Sequence, residues 1–143
     1  VENTAVSLIS ETKLLEHYFV KGSLTGNEMN LAQRASSLII SRAGAGSIFE
    51  IARAGKPSIL IPIPEKISHD QKTNAYAYAR SGGSTVLEEE NLTDGLLASE
   101  IHRIMNNPEV HTSMSNSALL FGKGDAGQTI AEALLGIANE HIS

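Results

Sequence analysis

Three features of this 143-residue sequence predict an α/β fold with a Rossmann-like parallel sheet and flanking helices. Two short β-branched apolar runs, SLIIS at 37–41 and SILI at 58–61, are too brief to be helices. A glycine-rich turn and a short helical stretch lie between them, which makes one βαβ unit. Outside that unit, strand-like and helix-like stretches keep alternating until a helical tail closes the chain.

The elements can be justified in order. Apolar residues Val6, Ile9, Leu14 and Leu15, with Lys and Glu between them, predict an amphipathic helix over residues 1–16. His17, Tyr18, Phe19 and Val20 read as a strand, with His17 a surface residue at its edge. A loop follows over 22–26. Thr25-Gly26-Asn27-Glu28 has the capping-box pattern of a helix start, and Met29, Ala32 and Ala35 would line that helix's inner face, with Met29 in the core. The βαβ unit comes next. Pro62-Ile63-Pro64-Glu65-Lys66-Ile67 makes an ordered but irregular connection, because each proline fixes its own φ. Ser68-His69-Asp70-Gln71 starts a helix that runs to Arg80, with the Asp70 charge favourable at its N-terminus. Ser81-Gly82-Gly83 ends it, and residues 84–87 form a further strand. Glu88, Glu89 and Glu90 read as a solvated lead-in, not a metal site. Thr93-Asp94 caps a helix to about Asn106, Asn107-Pro108 starts the next, and Asp125 begins a last one to about Ala138.

The chemistry of the central unit lies at its turn. Arg42-Ala43-Gly44-Ala45-Gly46 places two glycines directly after a strand, where the backbone turns and its N–H groups stay uncovered. Ser47-Ile48-Phe49-Glu50 fits a capping box. Gly55 stands where a left-handed C′ residue is expected, with Pro57 beyond it. A helix N-terminus with bare amides at the carboxyl edge of a parallel sheet suits a diphosphate, and Glu50 could accept two hydrogen bonds from a ribose diol. Equally, strand, turn and helix recur in many α/β proteins, and Glu50 could simply complete the cap. A dinucleotide fingerprint read from Gly44 requires glycine where Phe49 stands, so NAD is disfavoured, and no Walker lysine follows either glycine. Gln71 and Asn74, three apart on one helix face, offer donors and acceptors suited to a sugar.

Composition narrows the function classes. Eleven basic and 16 acidic side chains give a net charge of −5, so the overall field attracts neither nucleic acid nor an anionic membrane. Without cysteine there are no disulfides and no thiolate metal sites, which fits a cytoplasmic protein. His102 and His111 lack zinc-ligand spacing. No apolar run approaches the ~20 residues of a membrane span, and no signal peptide opens the sequence. The length fits a single domain over 1–143, and a start at Val1 reads as a trimmed or partial chain.

The stretch SLIISRAGAGSIFEIARAGKPSILIPIP, followed by HDQKTNAYAYARSGG, resembles the carboxy-terminal domain of the MurG family, the bacterial peptidoglycan GlcNAc transferases of glycosyltransferase family 28. The resemblance runs roughly from residue 18 to 138 and is densest over 39–75. It implies most of one lobe of a GT-B fold, the lobe that binds UDP-GlcNAc, in an inverting transferase that turns lipid I into lipid II. The implied donor-binding residues are Arg42, Gly44, Ala45, Gly46, Ser47, Glu50, Gln71 and Asn74, with Ser23, Leu24 and Thr25 nearest the uracil. No metal or other cofactor is implied. Lipid I and the membrane would be met only through an amino-terminal lobe, with the intact enzyme cytoplasmic and peripheral on the inner face of the plasma membrane.

Some family features do not precede Val1: a first strand with its Gly-Gly-Ser-type loop, and the acceptor lobe with the His usually invoked as base. The resemblance therefore implies no catalytic residue in this chain and no transfer by it alone. His69-Asp70-Gln71 also departs from the commoner order Asp-His-Gln. Three alternatives stay open: the donor-binding subunit of a dolichol-linked GlcNAc transferase, a nucleotide-sugar epimerase lobe, and a non-catalytic binding module.

Overall fold

The computed structural model describes residues 17–124, and the chain divides into two compact units, residues 1–31 and 32–143. The predicted helices over 1–16 and from Asp125 onward lie outside the described residues.

In the first unit, residues 18–20 are not a strand, and Tyr18 and Phe19 are 45% and 88% exposed. Aromatic and β-branched residues favour a pleated surface only where neighbours cover them. Helix α1, Gly26–Ala35, begins with the expected capping box. The Glu28 carboxylate accepts hydrogen bonds from the Thr25 N–H (2.8 Å) and hydroxyl (2.9 Å), which holds its pKa below the usual carboxylate range. The expected inner face does not hold. No residue of α1 is buried and Met29 is 39% exposed, because helical spacing creates an apolar stripe but supplies no surface to cover it.

The second unit holds a three-stranded parallel sheet in the order β1 (Ile39–Ser41), β2 (Ser58–Leu60), β3 (Ser84–Val86). Ile39 pairs with Ser58, and Ser58 with Ser84. Each strand is shorter at one end than its apolar run. Helix α2 (Ala45–Ala54) joins β1 to β2, and α3 (His69–Ala79) joins β2 to β3. Beyond a 3-10 turn at Glu89–Asn91 come α4 (Asp94–Met105) and α5 (Pro108–Gly122). Their caps are those the sequence signals. The Thr93 hydroxyl accepts from the Leu96 N–H at 3.2 Å, and the Asn107 side-chain oxygen Oδ1 accepts from the Glu109 and Val110 N–H groups at 3.1 and 3.2 Å.

Helices cover both faces of the sheet. Successive residues of β2 point to opposite sides, as a pleat requires. Ile59 packs with Ile104 and Met114, while Leu60 packs with Ile48, Ile51, Ala75, Tyr78 and Ala118. Helix α5 contributes to both cores, and its contacts trace one edge of the sheet. The His111 ring bonds the Ser37 carbonyl just before β1 (2.8 Å). A side chain at Gly55, before β2, would strike Leu119, and one at Gly82, before β3, would strike Ser117. Gly55 is left-handed (φ 66°, ψ 38°), as its place at the end of α2 predicts. Helix α5 thus runs along the amino-terminal edge of all three strands, which leaves the carboxyl edge for a site.

Candidate functional site

At the carboxyl end of β1 the chain passes through Arg42 and buried Ala43 into Gly44, the extended N-cap of α2 (φ −65°, ψ 141°). Here the structure corrects the predicted capping box. Helix α2 begins at Ala45, two residues before the predicted cap, and no side chain caps it. Ser47 lies within the first turn and Glu50 lies beyond it. The first intrahelical bond runs from the Ile48 N–H to the Gly44 carbonyl (3.0 Å). Helix geometry therefore leaves the N–H groups of Ala45, Gly46 and Ser47 without an intrahelical acceptor. Among the described residues no side chain plugs the bend: a Cβ built on Gly46 meets nothing within 4 Å, and one on Gly44 meets only Ser47 Oγ at 3.9 Å. Open amides and the positive end of a helix dipole make an anion site.

Glu50 is exposed on α2, where its carboxylate accepts a long hydrogen bond (3.4 Å) from the Gln33 side-chain amide. It is free of any cap, which leaves its oxygens available for an outside donor. Arg42 is held sideways along the rim, its guanidinium paired with Glu89 and donating to the Ile61 carbonyl at 3.3 Å.

Helix α3 brings the remaining groups. Gln71 Oε1 accepts from the main-chain N–H of Ala43 and of Ile63, both at 3.2 Å. Its oxygen is thus engaged by the protein, and only its NH2 remains to donate. Asn74 is half-buried one turn on. The glutamate run is solvent-facing as expected, with Glu89 and Glu90 exposed, but its first two carboxylates also face cations and a phenol across the rim. Glu88 accepts from the Tyr76 hydroxyl (2.6 Å) and pairs with Lys72 (3.2 Å). These bonds hold the Glu88 carboxyl below its usual pKa and push Tyr76 and Lys72 above theirs.

Two depressions lie along the rim. One, of about 230 Å3, lies between the loop at 62–66, Lys72 and Glu88 to Glu90. The other, shallower and about 460 Å3, is bordered by Ile40, Arg42, Ile61 and Leu92, and Glu89 belongs to both. Neither is lined by Gly44 to Ser47, so the amide site is a surface feature beside them and is recognised by its hydrogen-bond chemistry.

Of the predicted site residues, the structure brings Arg42, Gly44, Ala45, Gly46, Ser47 and Gln71 together at this rim, with Glu50 and Asn74 on the helices that enter it. Ser23, Leu24 and Thr25 lie in the unit of residues 1–31, where the Thr25 hydroxyl serves the α1 cap. Lys72, Tyr76, Glu88 and Glu89 were not singled out as site residues. The acid run itself was visible, but partners 12 to 47 residues away were not. Among the described residues, no three His, Asp or Glu side chains form a metal-binding group. No helix among them is long and apolar enough to cross a membrane.

Known proteins resemble this chain in sequence and fold. An N-acetylglucosamine transferase of Rhizobium etli, named for UDP-N-acetylglucosamine and N-acetylmuramyl-(pentapeptide) pyrophosphoryl-undecaprenol, is 37% identical over 112 residues, covering 78% of this chain and 30% of that protein. Its namesake in Rhodopseudomonas palustris is 35% identical over 113 residues, covering 79% and 31%. The chain therefore spans about a third of the length of these relatives. The crystal structure of Acinetobacter baumannii MurG superposes with a TM-score of 0.66 at 27% identity, over 82% of this chain and 32% of that one, which matches the sheet to a lobe of a GT-B glycosyltransferase. The spinosyn forosaminyltransferase SpnP (TM-score 0.59, 18% identity, 84% and 32% covered) shares the fold alone. Residues 24–130 match the glycosyltransferase family 28 C-terminal domain, and the chain belongs to that family.

Proposed function

We propose that this chain is the donor-binding lobe of an inverting GlcNAc transferase that carries GlcNAc from UDP-GlcNAc to lipid I, forming lipid II for peptidoglycan. The observation that carries the reading is the start of α2 at Gly44 with no side-chain cap, open at the carboxyl rim and followed in the second turn by the Glu50 carboxylate, whose described bond is the long one from Gln33. The amides of Ala45, Gly46 and Ser47 take the diphosphate, Glu50 takes the ribose diol, and Gln71 and Asn74 face the sugar. Ser23, Leu24 and Thr25 are assigned to the uracil, and Arg42 to the phosphates once it leaves Glu89.

In the displacement, the acceptor hydroxyl attacks the anomeric carbon and gives its proton to a base while UDP departs. Negative charge grows on the diphosphate as the bond breaks, and amides already aimed there stabilise it without reorganising. The base and the lipid I site belong to a partner lobe, which also provides contact with the inner face of the plasma membrane. As the maker of lipid II, the intact enzyme would serve cell-wall growth, and hence cell shape and division.

Calorimetric titration of the chain with UDP and UDP-GlcNAc tests the reading. Saturable binding of both is expected, with no GlcNAc transfer when lipid I is added to the chain alone. Absence of binding to either nucleotide overturns the donor-lobe reading. Conversion of UDP-GlcNAc to an epimeric sugar with no lipid present would identify an epimerase instead.

A further inference from the structure

We propose that Gln71 is a positioning residue that shapes the phosphate-binding turn, in place of a hydrogen-bond acceptor for the donor sugar; the proposal rests on the donor-lobe reading. Both partners of its Oε1 are main-chain N–H groups, those of Ala43 and Ile63 at 3.2 Å. That fixes the amide orientation, with oxygen inward and NH2 outward. A carbonyl oxygen has two lone pairs, and both are taken, so no acceptor capacity remains for a sugar hydroxyl.

The two donors are significant for where they lie. Ala43 is fully buried and immediately precedes the N-cap of α2. Ile63 lies in the loop that leaves β2, beyond the sheet pairing. Each N–H has left its strand ladder at a partly buried position, where an unpaired donor is costly. Gln71 satisfies both with one atom and so sets the distance between the exits of β1 and β2. The next residue, Lys72, and then Tyr76 bond Glu88 beyond β3. The first two turns of α3 therefore reach the exits of all three strands, and the orientation of the Gly44 turn follows from them.

The two roles differ in what they predict for a ligand with no sugar. A sugar contact contributes to UDP-GlcNAc binding and nothing to UDP binding, whereas a residue that shapes the turn contributes equally to both. Gln71→Met keeps the length and removes the acceptor, and Gln71→Glu keeps acceptor oxygens in place. Amide hydrogen exchange of the unliganded chain, followed by NMR, and calorimetry with UDP and UDP-GlcNAc give independent readouts. For Gln71→Met, exchange at Ala43 and Ile63 should quicken about tenfold or more, and affinity for UDP should fall about tenfold, with UDP-GlcNAc losing at least as much because the outward NH2 goes too. Gln71→Glu should retain protection at both amides. If Gln71→Met does not fold, Gln71→Asn, which withdraws the oxygen by one methylene, is read the same way. Unchanged protection, or a loss confined to UDP-GlcNAc with UDP affinity intact, would overturn the proposal. Should the unsubstituted chain bind neither nucleotide, the donor-lobe reading fails, and the exchange data alone still decide whether Gln71 holds the turn.

Discussion

Replacing Glu50 with alanine should separate ligand binding from folding, because the structure gives this carboxylate almost no structural work. It caps nothing, since α2 starts at Ala45 with Gly44 as its N-cap, and among the described residues its hydrogen bond is the 3.4 Å one from Gln33. An exposed side chain with a single long bond contributes within about 0.5 kcal/mol of stability. A carboxylate gripping a ribose diol contributes about 1.5 to 3 kcal/mol, as hydrogen bonds to charged groups do. Glu50→Ala should therefore weaken UDP binding by about 10- to 150-fold while the thermal midpoint hardly moves. Calorimetry with UDP and with its 2′-deoxy analogue sharpens the test. The unsubstituted chain should discriminate against the analogue, and Glu50→Ala should treat the two alike. If Glu50→Ala binds UDP as tightly as the unsubstituted chain, the ribose assignment is refuted.

Other substitutions probe the turn, the packing and the rim. Gly46→Ala meets open space within the first turn of α2 and should raise stability by about 0.5 to 1 kcal/mol in denaturant titration. Gly122→Ala would place its Cβ 2.7 Å from the backbone of Ala52 and should cost about 1 to 3 kcal/mol in the same assay, because a helix backbone cannot step aside. Glu89→Gln should release Arg42 toward the phosphates and tighten UDP about threefold at low salt, an advantage that fades as salt screens the freed cation. Burial pushes the Tyr78 hydroxyl from 10.0 up to about 12, tempered by the nearby Ser58 hydroxyl, which donates to the Gly83 carbonyl at 3.4 Å; the phenol has no hydrogen-bond partner among the described residues. A raised folded-state pKa means stability present below pH 10 and lost as pH rises toward 12. Tyr78→Phe should remove that alkaline loss and be neutral or stabilising by about 1 kcal/mol at neutral pH, as alkaline unfolding curves will show.

What could be read from the sequence divides by how far apart the interacting residues are. The starts of α1, α4 and α5 and the left-handed end of α2 were legible, because each is fixed by chemistry within three or four residues: Thr25 with Glu28, Thr93 with Leu96, Asn107 with Val110, and Gly55. The parallel sheet was legible because short β-branched runs separated by helices admit few other arrangements. The start of α2 was misread for an instructive reason. Ser47 and Glu50 have the letters of a capping box, but the chain already turns into a helix at Ala45 on leaving the sheet, and tertiary geometry overrides the local signal. The rim network was not legible at all. Gln71 reaches Ala43 across 28 positions and Arg42 reaches Glu89 across 47, and nothing in either segment announces the other.

The division of labour between core and rim explains why function should be separable from stability here. Ile51, Ile59, Leu60 and Ile104 are almost wholly buried, and each such side chain contributes about 1.5 to 3 kcal/mol through burial. The rim ties are of another kind. Arg42 with Glu89 and Lys72 with Glu88 are substantially exposed ion pairs, which contribute at most about 1 kcal/mol. Their effect is geometric: together with Gln71 they link the exits of β1, β2 and β3 through α3, while α5 closes the opposite edge. A sheet held by its faces and its amino edge does not need these ties to stay folded. It needs them to keep the Gly44 turn, the loop at 62–66 and the Glu88 segment in fixed relation. Substitutions along the carboxyl rim should therefore alter nucleotide affinity far more than melting temperature, and substitutions at Ile59 or Ile104 should do the reverse.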